Sequence, residues 1–399
     1  MESVFRSSER TLPARRNQTG PILRGVGGKH SDASFVLVYP LPMELKDLCR
    51  SAVESGASDL HLKGGSPPML RTDGRMKPID GASPLPAERV GKMAWEIMTP
   101  AQRERFKNQF ELDLSWNVDG VGRFRVNVFR QRHKVGMVLR VIPDQVKTIK
   151  ELRLPRVVAE ISEEPRGLVL VTGITGSGKS TTLAAIVEEI NRTHPHHIIT
   201  IEDPIEFVFS DRQSVINQRE VGSDTRSFGN ALRAALRQDP DVIFVGELRD
   251  KETVEIALNA AETGHLVLST LHTLDAAETI NRLVSFFSPH QQRQVRSQLA
   301  SVLRATLSQR LIQTKAGGRI AAIEVMRNRG VITDCIMDPA RSAEIPDLMA
   351  RNHTVYGTQT FDQAVFSLLQ EGIIDKEQAL RSVNNPDELE LRLQGIESR

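Results

Sequence analysis

The sequence has no apolar run near the roughly 18 residues that a membrane-spanning helix needs. Its uninterrupted apolar stretches are short, such as Leu168-Val169-Leu170-Val171. Cysteine is nearly absent, with only Cys49 and Cys335. Two distant cysteines cannot build a disulfide framework or a four-thiolate zinc site, which makes the reducing cytosol the default compartment. Net charge is also small: 52 Lys+Arg stand against 50 Asp+Glu, a formal +2. That balance excludes an acidic disordered tail protein and gives no support for a nucleic-acid polyelectrolyte binder. Met1-Glu2-Ser3 leads into no long apolar core, so no secretory signal is expected.

What is present is ordinary globular composition, 39% hydrophobic and 26% charged over 399 residues. A prior of about 150 residues per domain gives two to three domains. Residues 1–40 are rich in Arg, Ser and Gly and are expected to be a disordered basic extension. Residues 41–142 predict a small α+β domain. Its helices fall near Met43–Val53 and Ala87–Ile97, a hairpin turns at Asp73-Gly74, and three alternating runs follow between Leu112 and Ile142. Residues 143–155, polar and bracketed by prolines, predict a linker. From 156 to 330, short apolar strands at Leu168–Val171, Ile198–Ile201, Val242–Val245 and Leu266–Leu268 alternate with helices, the pattern of a sheet covered on both faces. After Ile320 a helical tail is expected, including Phe361–Leu369, with residues 331–399 forming a helical C-terminal region.

Gly173-Ile174-Thr175-Gly176-Ser177-Gly178-Lys179-Ser180 matches G-x-x-x-x-G-K-[ST]. A strand enters it and a helix leaves it. Glycines let consecutive backbone N–H groups point at a polyphosphate, and the helix N-terminus adds partial positive charge. Gly173, Thr175, Gly176, Ser177, Gly178, Lys179, Ser180 and Thr181 are therefore the candidate ATP-binding set. Lys179 would reach the β- and γ-phosphates, and Ser180 would hold Mg²⁺.

Val242–Val245 leads through Gly246 to Glu247, an acid at a strand end facing the metal or the attacking water. Ile198–Ile201 leads into Glu202-Asp203-Pro204-Ile205-Glu206, where three acids could orient water and metal; a solvated turn is the plain alternative. His265 and His272 flank the strand Leu266–Thr270, and His272 is the better placed to sense a γ-phosphate. Arg123 and Arg125 share a strand face, with Arg140 nearby. They read either as a wet sheet face or as a basic surface offered to a triphosphate.

Taken in order, these boxes resemble the secretion-type RecA-like ATPases and, within them, the type IV pilus retraction branch. The resemblance covers about residues 42 to 395. Its boxes are Gly173–Ser180, Ile201–Val208, Gln238–Asp250 and Ala261–Thr273, with Ala57–His61 resembling the start of the N-terminal domain. It implies an α/β fold, a RecA-like P-loop ATPase domain preceded by a smaller α+β PAS-like domain. It implies a homohexamer in the cytoplasm, at the inner face of the membrane, that hydrolyses ATP with Mg²⁺. It implies an inner-membrane platform partner (PilC-like) and a paralogous retraction ATPase as a further partner, while the net charge of +2 and the lack of a recognisable DNA-binding motif lead to no nucleic acid being expected. It implies Glu206 as catalytic base, Glu247 as the Mg²⁺-associated acid, and His265 and His272 as couplers of phosphate state to movement. Arg125 and Arg140 fall in segments where the family places phosphate-contacting arginines. Extension motors carry a four-cysteine zinc element that this chain cannot build. The stretch Pro339–Met349, with Pro346, departs from the retraction pattern. An accessory PilU-like paralogue or another secretion ATPase is the alternative.

Overall fold

A computed structural model of the chain describes residues 22–25, 35–38, 44–72, 74–143 and 145–394. The chain divides into two compact units, Met1–Val141 and Ile142–Arg399. Within 1–40, expected as a disordered extension, strands β1 (Ile22–Gly25) and β2 (Phe35–Val38) pair antiparallel. The rest of that stretch lies outside the described residues.

The first unit carries a six-stranded sheet of β3 (Asp59–Lys63), β4 (Met69–Thr72), β5 (Arg75–Pro78), β6 (Glu111–Val118), β7 (Gly122–Gln131) and β8 (Lys134–Ile142). Its strand order is β5-β4-β3-β8-β7-β6. Alternation decides the packing. Phe124, Val126 and Val128 are buried while Arg125 is exposed, as period-two side chains require. The inward set packs with Leu48 and Cys49 from the helix Leu45–Glu54 and with Val90 and Met93 from the helix Ala87–Ile97. The helix Pro100–Gln109 starts on a capping box between Thr99 and Gln102.

The second unit carries β9 (Gly167–Thr172), β10 (His197–Glu202), β11 (Val215–Glu220), β12 (Val242–Val245), β13 (Leu266–Leu271), β14 (Leu303–Gln313) and β15 (Arg319–Arg327). The order is β11-β10-β12-β13-β9-β14-β15, with β14 and β15 antiparallel and the remaining neighbours parallel. Every residue of β9 is buried. Leu168 and Leu170 join one core cluster, while Val169 and Val171 join another on the opposite face. The continuous apolar runs are thus explained: helices cover both faces. At roughly 1.5–3 kcal/mol per fully buried aliphatic side chain, this interior strand anchors the unit.

Two expectations shift. Residues 145–154 do not stand apart as a spacer: Ile149 and Leu154 are buried in the core with Val157 and Val158. The helical tail does not begin at Ile320, because Arg319–Arg327 is β15, and helices start at Val331. Pro346 sits in the first turn of the helix Ile345–Arg351, where its missing N–H removes no bond. Cys49 and Cys335 are both free and buried.

Candidate active site

The parallel strands end along one edge, and their C-terminal ends carry the chemistry. Between β9 and the helix Lys179–Thr193, the loop turns on glycines with positive φ. Gly173 has φ +137°, and a Cβ there would lie 2.5 Å from the Gln309 carbonyl oxygen. Gly178 has φ +91°, and a Cβ would meet Gln309 Nε2 at 2.8 Å. Only glycine fits either place. Gln309 closes the loop from β14, accepting from Thr182 Oγ1 at 2.9 Å. Ser177 Oγ is buried with no hydrogen-bond partner among the described residues.

Lys179 is buried, and its Nζ donates to the carbonyls of Gly173 (2.8 Å) and Ile174 (3.0 Å). Burial pushes its ammonium below the usual lysine range, while Glu247 and Glu206 pull it back up. Those two carboxylates therefore face Lys179 from the ends of β12 and β10. Thr270 Oγ1, on β13, donates to the Gly246 carbonyl at 2.7 Å and fixes the approach to Glu247. Glu247 Oε1 lies 3.4 Å from His272 Nε2, and Glu247 Oε2 accepts from Arg249 Nε at 2.8 Å. Arg249 also lies 3.9 Å from Asp203.

Glu202 is buried behind Glu206. Burial raises its carboxyl to about 7, against the Thr200 and Gln218 hydrogen bonds that stabilise its charge. Its Oε2 accepts the Glu206 backbone N–H at 3.4 Å, so the buried carboxyl helps place the exposed one.

The structure thus brings Lys179, Glu206, Glu247 and His272 together with the glycine loop. It does not bring His265 there. His265 precedes β13 at the opposite end of the strand, where its Nδ1 contacts the Ala260 carbonyl at 2.9 Å. Arg125 and Arg140 belong to the first unit. Arg125 is exposed on β7. Arg140 Nε donates to Asp59 Oδ1 at 2.9 Å. Burial raises the Asp59 carboxyl, but Ser58 and Arg140 outweigh that and hold it below the usual range.

Beside the loop opens a cavity of about 760 Å³, bordered by Leu152, Leu154, Gly178, Thr181, Gln309 and Leu311. A backbone cradle too tight for a Cβ at Gly173, an orphaned buried hydroxyl at Ser177 and a lysine held by two carbonyls fit a phosphate chain. Ser180 and Glu247 offer hard oxygen donors, which suit Mg²⁺ when phosphates complete its shell.

Residues 38–336 match the family described as Type II/IV secretion system protein. The chain belongs to this family. The type IV pilus retraction ATPase PilT of Pseudomonas aeruginosa is 46% identical over 86% of this chain and 99% of its own length. The type IV pilus ATPase PilU of the same organism is 41% identical over 89% of this chain and 93% of its own. A crystal structure of the pilus retraction motor PilT with bound ADP has a TM-score of 0.80 at 45% identity, covering 88% of this chain and 99% of that one. Among the described residues, no helix is long and apolar enough to cross a membrane.

Reading the sequence missed Gln309, Arg249 and the ordering role of Glu202. Arg249 stands two residues after Glu247, so it was within reach of the same box. Gln309 carried no local signal, because its role comes from β14 lying against β9.

Proposed function

We propose that this chain is a Mg²⁺-dependent ATPase that powers type IV pilus retraction as a homohexamer. The observation that carries the reading is the convergence of Lys179, Glu206, Glu247 and His272 on the glycine loop. The 46% identity to PilT over most of both chains supports the pilus assignment.

Bound ATP supplies the phosphoanhydride, and Mg²⁺ supplies counter-charge to its oxygens. Lys179 exchanges its two carbonyl partners for β- and γ-phosphate oxygens. Ser180 and Glu247 would hold the metal, with Arg249 and His272 fixing the Glu247 carboxylate. Glu206 takes the proton of the attacking water as the new P–O bond forms and the β–γ bridge breaks. His272, against Glu247, carries the change in phosphate state into the segment that follows it. The base and ribose occupy the cavity at Leu152, Thr181 and Leu311. Arg125 and Arg140 of a neighbouring subunit add positive charge, which for Arg140 requires release from Asp59. The hexamer works at the cytoplasmic face of the inner membrane on a PilC-like platform protein, without nucleic acid.

An accessory PilU-like role is the second reading. The 41% identity to PilU and the departure at Pro339–Met349 favour keeping it. Purified protein tests the chemistry: Lys179→Ala and Glu247→Ala each abolish phosphate release. Wild-type turnover in both variants removes the reading.

A further inference from the structure

Glu324, on β15, is 4% exposed and takes no part in the chemistry above. Strand register sets Thr172, Ser308 and Glu324 side by side across β9, β14 and β15. Paired residues project to the same sheet face. Thr172 is the last residue before the phosphate loop. Glu324 Oε1 accepts from Ser308 Oγ at 3.3 Å and from the Ala276 backbone N–H at 2.8 Å.

Ala276 opens the helix Ala276–Ser285, whose N-terminal partial charge favours a carboxylate. That helix grips the segment after His272. Thr273 Oγ1 lies 2.6 Å from Thr279 Oγ1, and the Leu274 N–H donates to Glu278 Oε2 at 2.7 Å. Contacts therefore run from Glu247 to His272, through the segment after it and the helix to Glu324 and Ser308, and Ser308 lies beside Thr172 in strand register, the Thr172 hydroxyl itself being buried without a hydrogen-bond partner among the described residues.

We propose that Glu324 is a positioning residue that ties the His272 segment to the strand feeding the phosphate loop. An apolar side chain here would avoid the desolvation of a carboxyl but would leave the buried Ala276 N–H without its acceptor, so the carboxyl is what holds the helix start to β15. Burial raises it to about 7, the Ala276 N–H, Ser308 and Arg310 oppose the rise, and Asp275 adds to it. The inference rests on reading the site as an ATPase.

The test is steady-state ATP hydrolysis by wild type, Glu324→Ala, Glu324→Gln, His272→Ala and the Glu324→Ala/His272→Ala double variant. A displaced His272 segment lowers kcat by about tenfold in Glu324→Ala, while KM for ATP stays within about twofold. Glu324→Gln, which keeps an acceptor for Ala276, recovers kcat to within about threefold of wild type. On the His272→Ala background, Glu324→Ala has no further effect, because both act through one path. Wild-type kcat in Glu324→Ala, or losses that multiply in the double variant, overturns the proposal. Should Glu324→Ala not fold, Glu324→Asp draws the carboxylate back by one methylene and makes the same comparison. A wild type without ATP turnover defeats the reading of the site instead, so the two failures are distinguishable.

Discussion

Gly173→Ala puts the cradle under the strictest strain. Two independent constraints act on the new methyl group. A non-glycine residue at φ +137° is strained by about 1–3 kcal/mol. The methyl would also stand 2.5 Å from the Gln309 carbonyl oxygen and 2.6 Å from Ser177 Oγ, where ordinary contact begins near 3.4 Å. The Gln309 oxygen is backbone in the central sheet, so the loop must move, by about 0.9 Å at that contact (3.4 minus 2.5). A shift near 1 Å in a site that aligns phosphate and water lowers kcat/KM by about 100-fold. Gly176→Ala is the internal comparison: φ is +79°, but nothing lies within 4 Å of the new Cβ. Its loss comes from backbone strain alone, about 1 kcal/mol, and stays within roughly tenfold. Titration with a fluorescent ATP analogue and steady-state phosphate release, both well below each variant's melting temperature, separate the two. Equal affinity and turnover in Gly173→Ala and Gly176→Ala would refute the reasoning.

Other substitutions test other joints of the account. Glu202 ionises near 4.5 unfolded and near 7 folded, so the folded state holds more protons between those values and stability falls as pH rises through them, by up to about 3 kcal/mol. Glu202→Gln removes that slope, and melting curves of variant and wild type should diverge in the variant's favour from pH 5 to pH 8; parallel curves contradict the assignment. Arg140→Ala leaves the buried Asp59 carboxyl with the Ser58 hydroxyl and with Arg71 at 3.8 Å, and is expected to lower the unfolding free energy from urea titration by about 1 kcal/mol, screening of the exposed guanidinium included. Arg125→Ala, at an exposed position, should leave that free energy within about 0.5 kcal/mol and change only turnover. Leu183→Ala, in the fully buried face of the helix Lys179–Thr193, should cost about 2–5 kcal/mol in chemical denaturation.

Local pattern carried the centre of the fold. Leu168–Val171, Ile198–Ile201, Val242–Val245 and Leu266–Leu268 are continuous apolar runs because both sheet faces are covered, and each is a strand. The helix Ala87–Ile97 has its expected ends. β14 was hidden by its own spacing. Leu303, Leu307 and Leu311 recur every four residues, which reads as a helix face. Its strand state comes instead from pairing with β9 on one side and β15 on the other, contacts distant in sequence. The polar helix Pro100–Gln109 lacks apolar periodicity, although Thr99, Pro100 and Gln102 mark its start.

The site divides along the same line. Lys179, Glu206, Glu247 and His272 were legible because each sits in a box directly after an apolar strand. Parallel strands bring such ends to one edge. His265 shares a box with His272, but it lies before the strand rather than after it, and a strand of six residues carries it to the far edge. Gln309 and Glu324 belong to strands that only the folded sheet brings near the loop. No window of sequence could assign them.

The central claim is that ATP hydrolysis at the glycine loop drives pilus retraction. The direct measurement is twitching and surface piliation in a strain lacking the gene, complemented with wild type or with Glu206→Ala. The expected result is a hyperpiliated, non-twitching deletion restored by wild type and not by Glu206→Ala. Normal piliation and twitching in the deletion would contradict a primary retraction motor.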